Sequence, residues 1–159
     1  MNLILWRHAQ VEPSMLADWQ RELSEEGLTN AQHAAHYLNT ALPIDCRVLV
    51  SPAKRAIQTA SALQRPYEIV DALAPRTNVR HILEALDWPQ LETSDSTVVI
   101  VGHQPSLGLL IAHLTAENRE FNVENTIAYW LSNREENGQR ATFIKGLFGP
   151  GGMRWRDNT

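Results

Sequence analysis

LILWRHAQ, residues 3–10, is the stretch that decides the fold. An apolar run stops at an arginine–histidine pair, Arg7–His8, with no helical repeat and no polar run around it. A short continuous apolar run is what a strand shows when its sheet is covered on both faces. Residues 2–6 therefore predict a buried strand carrying a cation and an imidazole at its carboxyl end.

Two further runs repeat the pattern. CRVLV, 46–50, ends at Ser51-Pro52, a favourable N-cap followed by proline at the first helical position. A helix is expected from there to about 64, with Ala53, Ala56, Ile57, Ala60 and Leu63 on one face. TVVIV, 97–101, is β-branched throughout, breaks at Gly102-His103 and precedes a helix over 105–114. Helical spacing of Leu28, Ala31, Ala35 and Leu38 predicts a helix over 25–40; Val79, Ile82, Leu83 and Leu86 predict another over 77–87. YEIV, 67–70, reads as a short strand, and 126–132 and 141–147 as a hairpin flanking NREENG. Strands alternating with helices imply an α/β domain, a three-layer α/β/α sandwich around a mostly parallel central sheet. One domain is expected over 1–148. The Gly- and Pro-rich stretch 149–159 lacks apolar periodicity and reads as a loosely held tail.

The chain has 159 residues and a formal net charge of −4, which argues against non-specific nucleic-acid binding but leaves room for a small basic pocket. Its one cysteine, Cys46, cannot form an internal disulfide and is expected to be a buried packing residue. Arg7 interrupts the N-terminal apolar run, and no apolar run approaches the roughly 18 residues of a membrane span. A cytoplasmic protein is expected, with no membrane partner. His33 and His36 lie three apart on one helix without a third ligand near in sequence, so no metal site is expected there. His81 and His113 read as structural, and Trp155 falls in the tail.

The chemistry collects at strand ends. In an open parallel α/β sheet the carboxyl ends of the strands share one edge, and ligands bind there. Arg7, His8, Arg55 and His103 should meet at that edge, beside the N-termini of the helices that start near Pro52 and Pro105. Two guanidiniums and free helix N–H groups make an anion site, and phosphate is its natural occupant. A neutral imidazole is a nucleophile towards phosphorus that needs no metal. His8 would attack, while His103 and the arginines clamp the transferring group.

These stretches resemble the histidine phosphatase superfamily, which includes the cofactor-dependent phosphoglycerate mutases. LWRHAQ is similar to its Arg-His-Gly signature, with Ala9 in place of the glycine. SPAKRAIQTA resembles the segment carrying its second arginine, and VIVGHQPSL the one carrying its second histidine. DWQRELSEEG, 18–27, resembles a pattern of the small SixA-like phosphohistidine phosphatases. The resemblance implies a phosphoglycerate mutase-like fold, with His8 as the residue that becomes phosphorylated. Arg7 and Arg55 would bind the phosphoryl group, His103 would complete the pocket, and Arg21 would contact substrate. No metal or cofactor is implied.

The sugar-phosphate branches of that superfamily carry a carboxylate that protonates the leaving alkoxide; here the corresponding region, 71–86, is short. Asp71 and Glu84 are its nearest candidates, and both read as ordinary polar positions. A site without a dedicated acid suits a phosphohistidine better than a phosphate ester, because imidazole can leave as a neutral molecule. The expected substrate is thus a phosphohistidine on a protein such as a histidine phosphotransfer domain, met transiently by a monomer. Two alternatives are a small-molecule phosphomonoester phosphatase of the same superfamily and a non-catalytic phosphohistidine-binding module.

Overall fold

A computed structural model describes residues 1–156 of the chain. Seven strands form one sheet: β1 (Asn2–Arg7), β2 (Arg47–Val50), β3 (Glu68–Ile69), β4 (Thr97–Gly102), β5 (Ala128–Glu136), β6 (Gln139–Gly149) and β7 (Gly152–Trp155). Their order is β3-β2-β4-β1-β5-β6-β7. The helices are α1 (Glu25–Ala41), α2 (Lys54–Ser61), α3 (Val79–Ala85), α4 (Trp88–Thr93) and α5 (Ser106–Thr115), with short 3₁₀ turns at Asp18–Gln20 and Asp71–Leu73.

The apolar runs are continuous because both faces of the sheet are covered. Leu3, Leu5, Leu49, Val98 and Ile100 point to one side and pack with Ile82, Leu91, Leu107, Leu110 and Ile111 of α3, α4 and α5. The alternating residues Ile4, Trp6, Val48, Val50, Val99 and Val101 point to the other, against Ala34, Ala35 and Leu38 of α1 and Ala56 and Ala60 of α2. Two core layers enclose one sheet, and the α/β/α sandwich follows.

The sheet is parallel over β3, β2, β4 and β1, and antiparallel over its remaining pairings. The parallel part positions the site. Arg7 lies opposite Gly102 across β1 and β4, and Val50 opposite Val101 across β2 and β4. The next residues, His8, His103 and Ser51, therefore emerge level at one sheet edge.

The structure differs from the sequence reading at several points. Helix α2 starts at Lys54, not Pro52, because Ser51 Oγ is engaged with the Ala53 N–H and with His103 rather than capping a first turn. An additional helix, α4, follows α3, since Asp87 adopts left-handed φ (50°) and breaks the run at the point where Pro89 can open a new turn. The stretch after 148 is not all loose: Gly152–Trp155 pair with β6, and Trp155 packs on Trp130 and Phe148 at ring separations of 5.4 and 5.1 Å. Residues 157–159 of that stretch lie outside the described residues. Cys46 is only half-buried, its Sγ accepting from Arg65 Nη1 at 3.3 Å.

The β5–β6 hairpin closes through Asn137-Gly138, both at positive φ (52° and 76°), the pair a tight primed turn requires. Glycine is required at one point near the site. A Cβ on Gly27, in the first turn of α1, would stand 2.0 Å from the carbonyl oxygen of Gln10. Among the described residues no helix is long and apolar enough to cross a membrane.

Candidate active site

His8 follows the tip of β1 and is 7% exposed. Its Nδ1 lies 2.7 Å from the backbone carbonyl of Ala9. A carbonyl only accepts, so Nδ1 carries the proton and Nε2 keeps its lone pair. Arg55 Nε donates towards that lone pair at 3.3 Å. The backbone after His8 is held as firmly. The Ala9 N–H donates to Thr59 Oγ1 (3.0 Å), whose hydroxyl donates to the Arg55 carbonyl (2.8 Å), so the nucleophile loop and the arginine share one hydroxyl of α2. Ala9 is not among the residues at positive φ, and its methyl packs beside Leu23 and Ala31. Alanine in place of glycine is thus unstrained here.

From the other side, the Thr126 N–H points at the carbonyls of Arg7 and His8 (3.2 Å each), and Asn125 Nδ2 donates to the His8 carbonyl at 3.0 Å. Thr126 is fully buried at φ 70°, a costly conformation for a β-branched residue. It is over-determined: besides those contacts, its hydroxyl donates to Gln10 Oε1 and its carbonyl accepts from Trp6 Nε1.

His103 sits 5.1 Å from His8, ring centroid to ring centroid, with its Nε2 2.7 Å from Ser51 Oγ. Arg7 donates through Nη1 to the Val123 carbonyl at 2.9 Å. Buried Arg55 donates through Nη1 to the Asp18 carbonyl (2.6 Å) and through Nη2 to Asp18 Oδ2 (3.1 Å). Arg21 faces the same carboxylate more loosely, at 3.9 Å. Among the described residues, three buried side-chain nitrogens have no hydrogen-bond partner: Arg7 Nε, Arg21 Nε and His103 Nδ1. Buried polar groups are normally paired, so three orphans around one pocket mark it as a place for an oxygen-rich anion.

The electrostatics agree. Burial lowers the His8 pKa to about 4, opposed by the bond to Ala9 and reinforced by the charges of Arg55, Arg7 and Arg21. Burial lowers His103 to about 3, reinforced by His8, Arg55 and Arg7 and opposed by Asp18. Both imidazoles are neutral at pH 7. Partial burial would raise the Asp18 pKa, but the Arg55 hydrogen bond and the Arg55 and Arg21 charges outweigh it and hold the carboxyl below its usual range. The pocket combines an imidazole lone pair, three guanidiniums and a carboxylate.

All five sequence-derived candidates, Arg7, His8, Arg21, Arg55 and His103, thus converge on one sheet edge. The Asp-x-x-Arg spacing of 18–21 signals an ion pair between Asp18 and Arg21, but the tighter partner of Asp18 is Arg55. Asn125 and Thr126 had no such signal, since they enter from the far end of the chain. Asp71 opens the 3₁₀ turn after β3, which is separated from β1 by β2 and β4. Glu84 pairs with Arg80 on α3, at a groove of about 720 Å³ also lined by Leu83 and Trp88. Arg80, Asp87 and His113 also line that groove, but none of the strand-tip residues does.

Residues 3–76 match the family model of the histidine phosphatase superfamily (branch 1). Among solved structures, the protein histidine phosphatase SixA in complex with tungstate superimposes with a TM-score of 0.78 at 22% identity, covering 95% of this chain and 98% of that one. A mycobacterial glucosyl-3-phosphoglycerate phosphatase with inorganic phosphate gives 0.65 at 19% identity, covering 90% and 94%. No curated protein matches the sequence. At these identities the likeness to solved structures is one of fold, and it is shared by proteins whose substrates differ. The sheet sets the strand tips level, and the match over residues 3–76 spans both the first histidine and the α2 arginine: that part of the chain is similar to the histidine phosphatase superfamily, and the chain has the fold of its solved neighbours.

Proposed function

We propose that the protein is a metal-independent phosphatase that removes phosphate from phosphohistidine on another protein, through a phosphorylated His8. Nε2 of neutral His8 attacks the phosphorus in line, forming an N–P bond as the N–P bond to the substrate imidazole breaks. Arg7, Arg55, Arg21 and His103 surround the equatorial oxygens, where phosphoryl transfer is stabilised mainly by positioned positive charge. The substrate imidazole takes a proton from solvent on its remote nitrogen and leaves neutral. Water then attacks the phosphorus of phospho-His8, releasing inorganic phosphate and restoring the Nε2 lone pair.

The observation that carries the substrate class is the pairing of Asp18 with Arg55. This carboxylate reaches the pocket, yet it is engaged as an acceptor, by Arg55 Nη2 at 3.1 Å and more loosely by Arg21 at 3.9 Å, and so is not presented as an acid to a leaving group. An alkoxide leaving group needs a proton from such an acid, typically for a factor of about 10²–10⁴. A protonated phosphohistidine does not. The lip of the pocket supports a protein-sized substrate: Met15, Leu16 and Trp19, beside Asp18, present exposed apolar side chains (106%, 55% and 63%) that a small phosphate ester would not need.

The test is phosphate release from a phosphorylated histidine phosphotransfer domain in the presence of chelator, with p-nitrophenyl phosphate in parallel and His8→Ala as control. Faster release from the phosphoprotein, abolished by the substitution, is expected. Turnover of the ester alone would replace this reading with a small-molecule phosphatase, and binding without release would replace it with a binding module.

A further inference from the structure

Of the two imidazoles, His8 has its tautomer fixed by a backbone carbonyl, whereas the partner of His103 is a hydroxyl, which can donate or accept. The surroundings of that hydroxyl decide the matter. Ser51 is fully buried, and its Oγ already accepts from the Ala53 N–H at 3.2 Å. Among the described residues the remaining contact of Oγ is His103 Nε2 at 2.7 Å, with no carbonyl or carboxylate as an alternative acceptor. The hydroxyl has one proton to place. If Nε2 carried hydrogen, that proton would be buried without an acceptor, and the unpartnered Nδ1 would be left with a bare lone pair. If Nε2 is the acceptor, the hydroxyl is satisfied and Nδ1 carries the hydrogen.

We propose that Ser51 is a positioning residue that holds His103 as the Nδ1–H tautomer, and that this Nδ1–H is the hydrogen-bond donor His103 offers to a phosphoryl oxygen. The donor role rests on the phosphate-site reading; the tautomer does not. The assignment gives the buried, unpartnered Nδ1 a function and makes the two histidines complementary. His8 presents the Nε2 lone pair that attacks, and His103 presents an Nδ1–H that donates. Ser51 touches neither phosphate nor nucleophile and acts through the ring it orients.

Long-range ¹H–¹⁵N correlation spectra of the imidazoles at pH 7 test the tautomer directly in the wild type. A pyrrole-type Nδ1 and a pyridine-type Nε2 are expected for His103, and the reverse pattern would overturn the proposal without any variant being needed. Adding inorganic phosphate should move the Nδ1 resonance of His103; a resonance unmoved at saturation, with phosphate bound by another readout, would overturn the donor role. The activity arm uses Ser51→Ala and Ser51→Thr. The alanine variant should lose the single tautomer and about 10²-fold in kcat with KM little changed, and threonine should restore both. Ser51→Ala should cost nothing further in a His103→Ala background. A loss of equal size there, or one with the tautomer intact, would make Ser51 merely structural. Should the tautomer and phosphate shift appear without turnover of any phosphohistidine protein, the proposed substrate fails and this inference stands.

Discussion

Arg55 Nε lies 3.3 Å from His8 Nε2, pointing a charged donor at the lone pair that is to become the nucleophile. The far side of the guanidinium is held by Asp18 through both a backbone and a carboxylate oxygen. Arg55 is thus fixed before substrate arrives, and the loop that fixes it also forms the lip of the pocket. Positioned charge of this kind needs little reorganisation when the phosphoryl group transfers.

Geometry, beyond charge alone, should therefore be visible in Arg55→Lys. Lysine keeps the positive charge but cannot reach His8 and both Asp18 oxygens from one plane. A fall in kcat/KM of about 10²–10³-fold is expected. Asp18→Asn should cost less, since the backbone carbonyl of residue 18 still accepts from Nη1. Steady-state kinetics on a phosphohistidine protein measures both, and a lysine variant within a factor of a few of wild type would show that the fork is not used.

The acid limb of kcat/KM should lie near pH 4 instead of near 6.5, because the attacking imidazole must be neutral and burial, with the arginine charges, lowers His8 to about 4. Between those pH values activity should be nearly level. A limb at 6–7 would mean that His8 titrates as an exposed histidine.

Stability follows the same shifts with a definite sign. Unfolded histidine binds a proton below about 6.5, while His8 and His103 stay neutral in the fold down to about 4 and about 3. The unfolded chain therefore gains protons first, and stability is fully present above about pH 6.5 and is lost as pH falls through the folded values. Thermal melts of His8→Asn should decline less steeply between pH 6.5 and 4 than those of wild type. Parallel curves would contradict the shift.

The lip predicts a split between substrates. Met15→Ser with Trp19→Ser should raise KM for the phosphoprotein about tenfold, a loss of roughly 1.4 kcal/mol of binding. The kinetics of p-nitrophenyl phosphate should be unchanged. Equal effects on both substrates would place these side chains in the pocket instead of at its rim.

Most of the architecture was legible because both core layers draw on the same strands. LILW, VLV and VVIV carry apolar side chains at consecutive positions, a pattern that a sheet covered on two sides requires. The four strand-tip residues followed from that sheet, since equivalent ends of parallel strands must share an edge. Other features lacked a local signal. β7 is signalled only by a Gly-Pro-Gly-Gly turn, and it is held by contacts from Trp155 to Trp130 and Phe148 that no window of sequence reveals. Thr126 at φ 70° is tolerated because of contacts with Arg7, His8, Gln10 and Trp6, more than a hundred residues away in the chain. Asp18 was readable as a charge near Arg21, but its grip on Arg55 needed the fold.

Trapping the intermediate tests the central claim most directly. Wild-type protein mixed with a phosphorylated histidine phosphotransfer domain, quenched in alkali within the first turnover and mapped by peptide, should carry phosphate on His8. Because Nδ1 is committed to the Ala9 carbonyl, the phosphate should be on Nε2, and the label should chase to inorganic phosphate. Phosphate on Nδ1 or on another residue, or single-turnover release with no phosphoenzyme formed, would contradict the account.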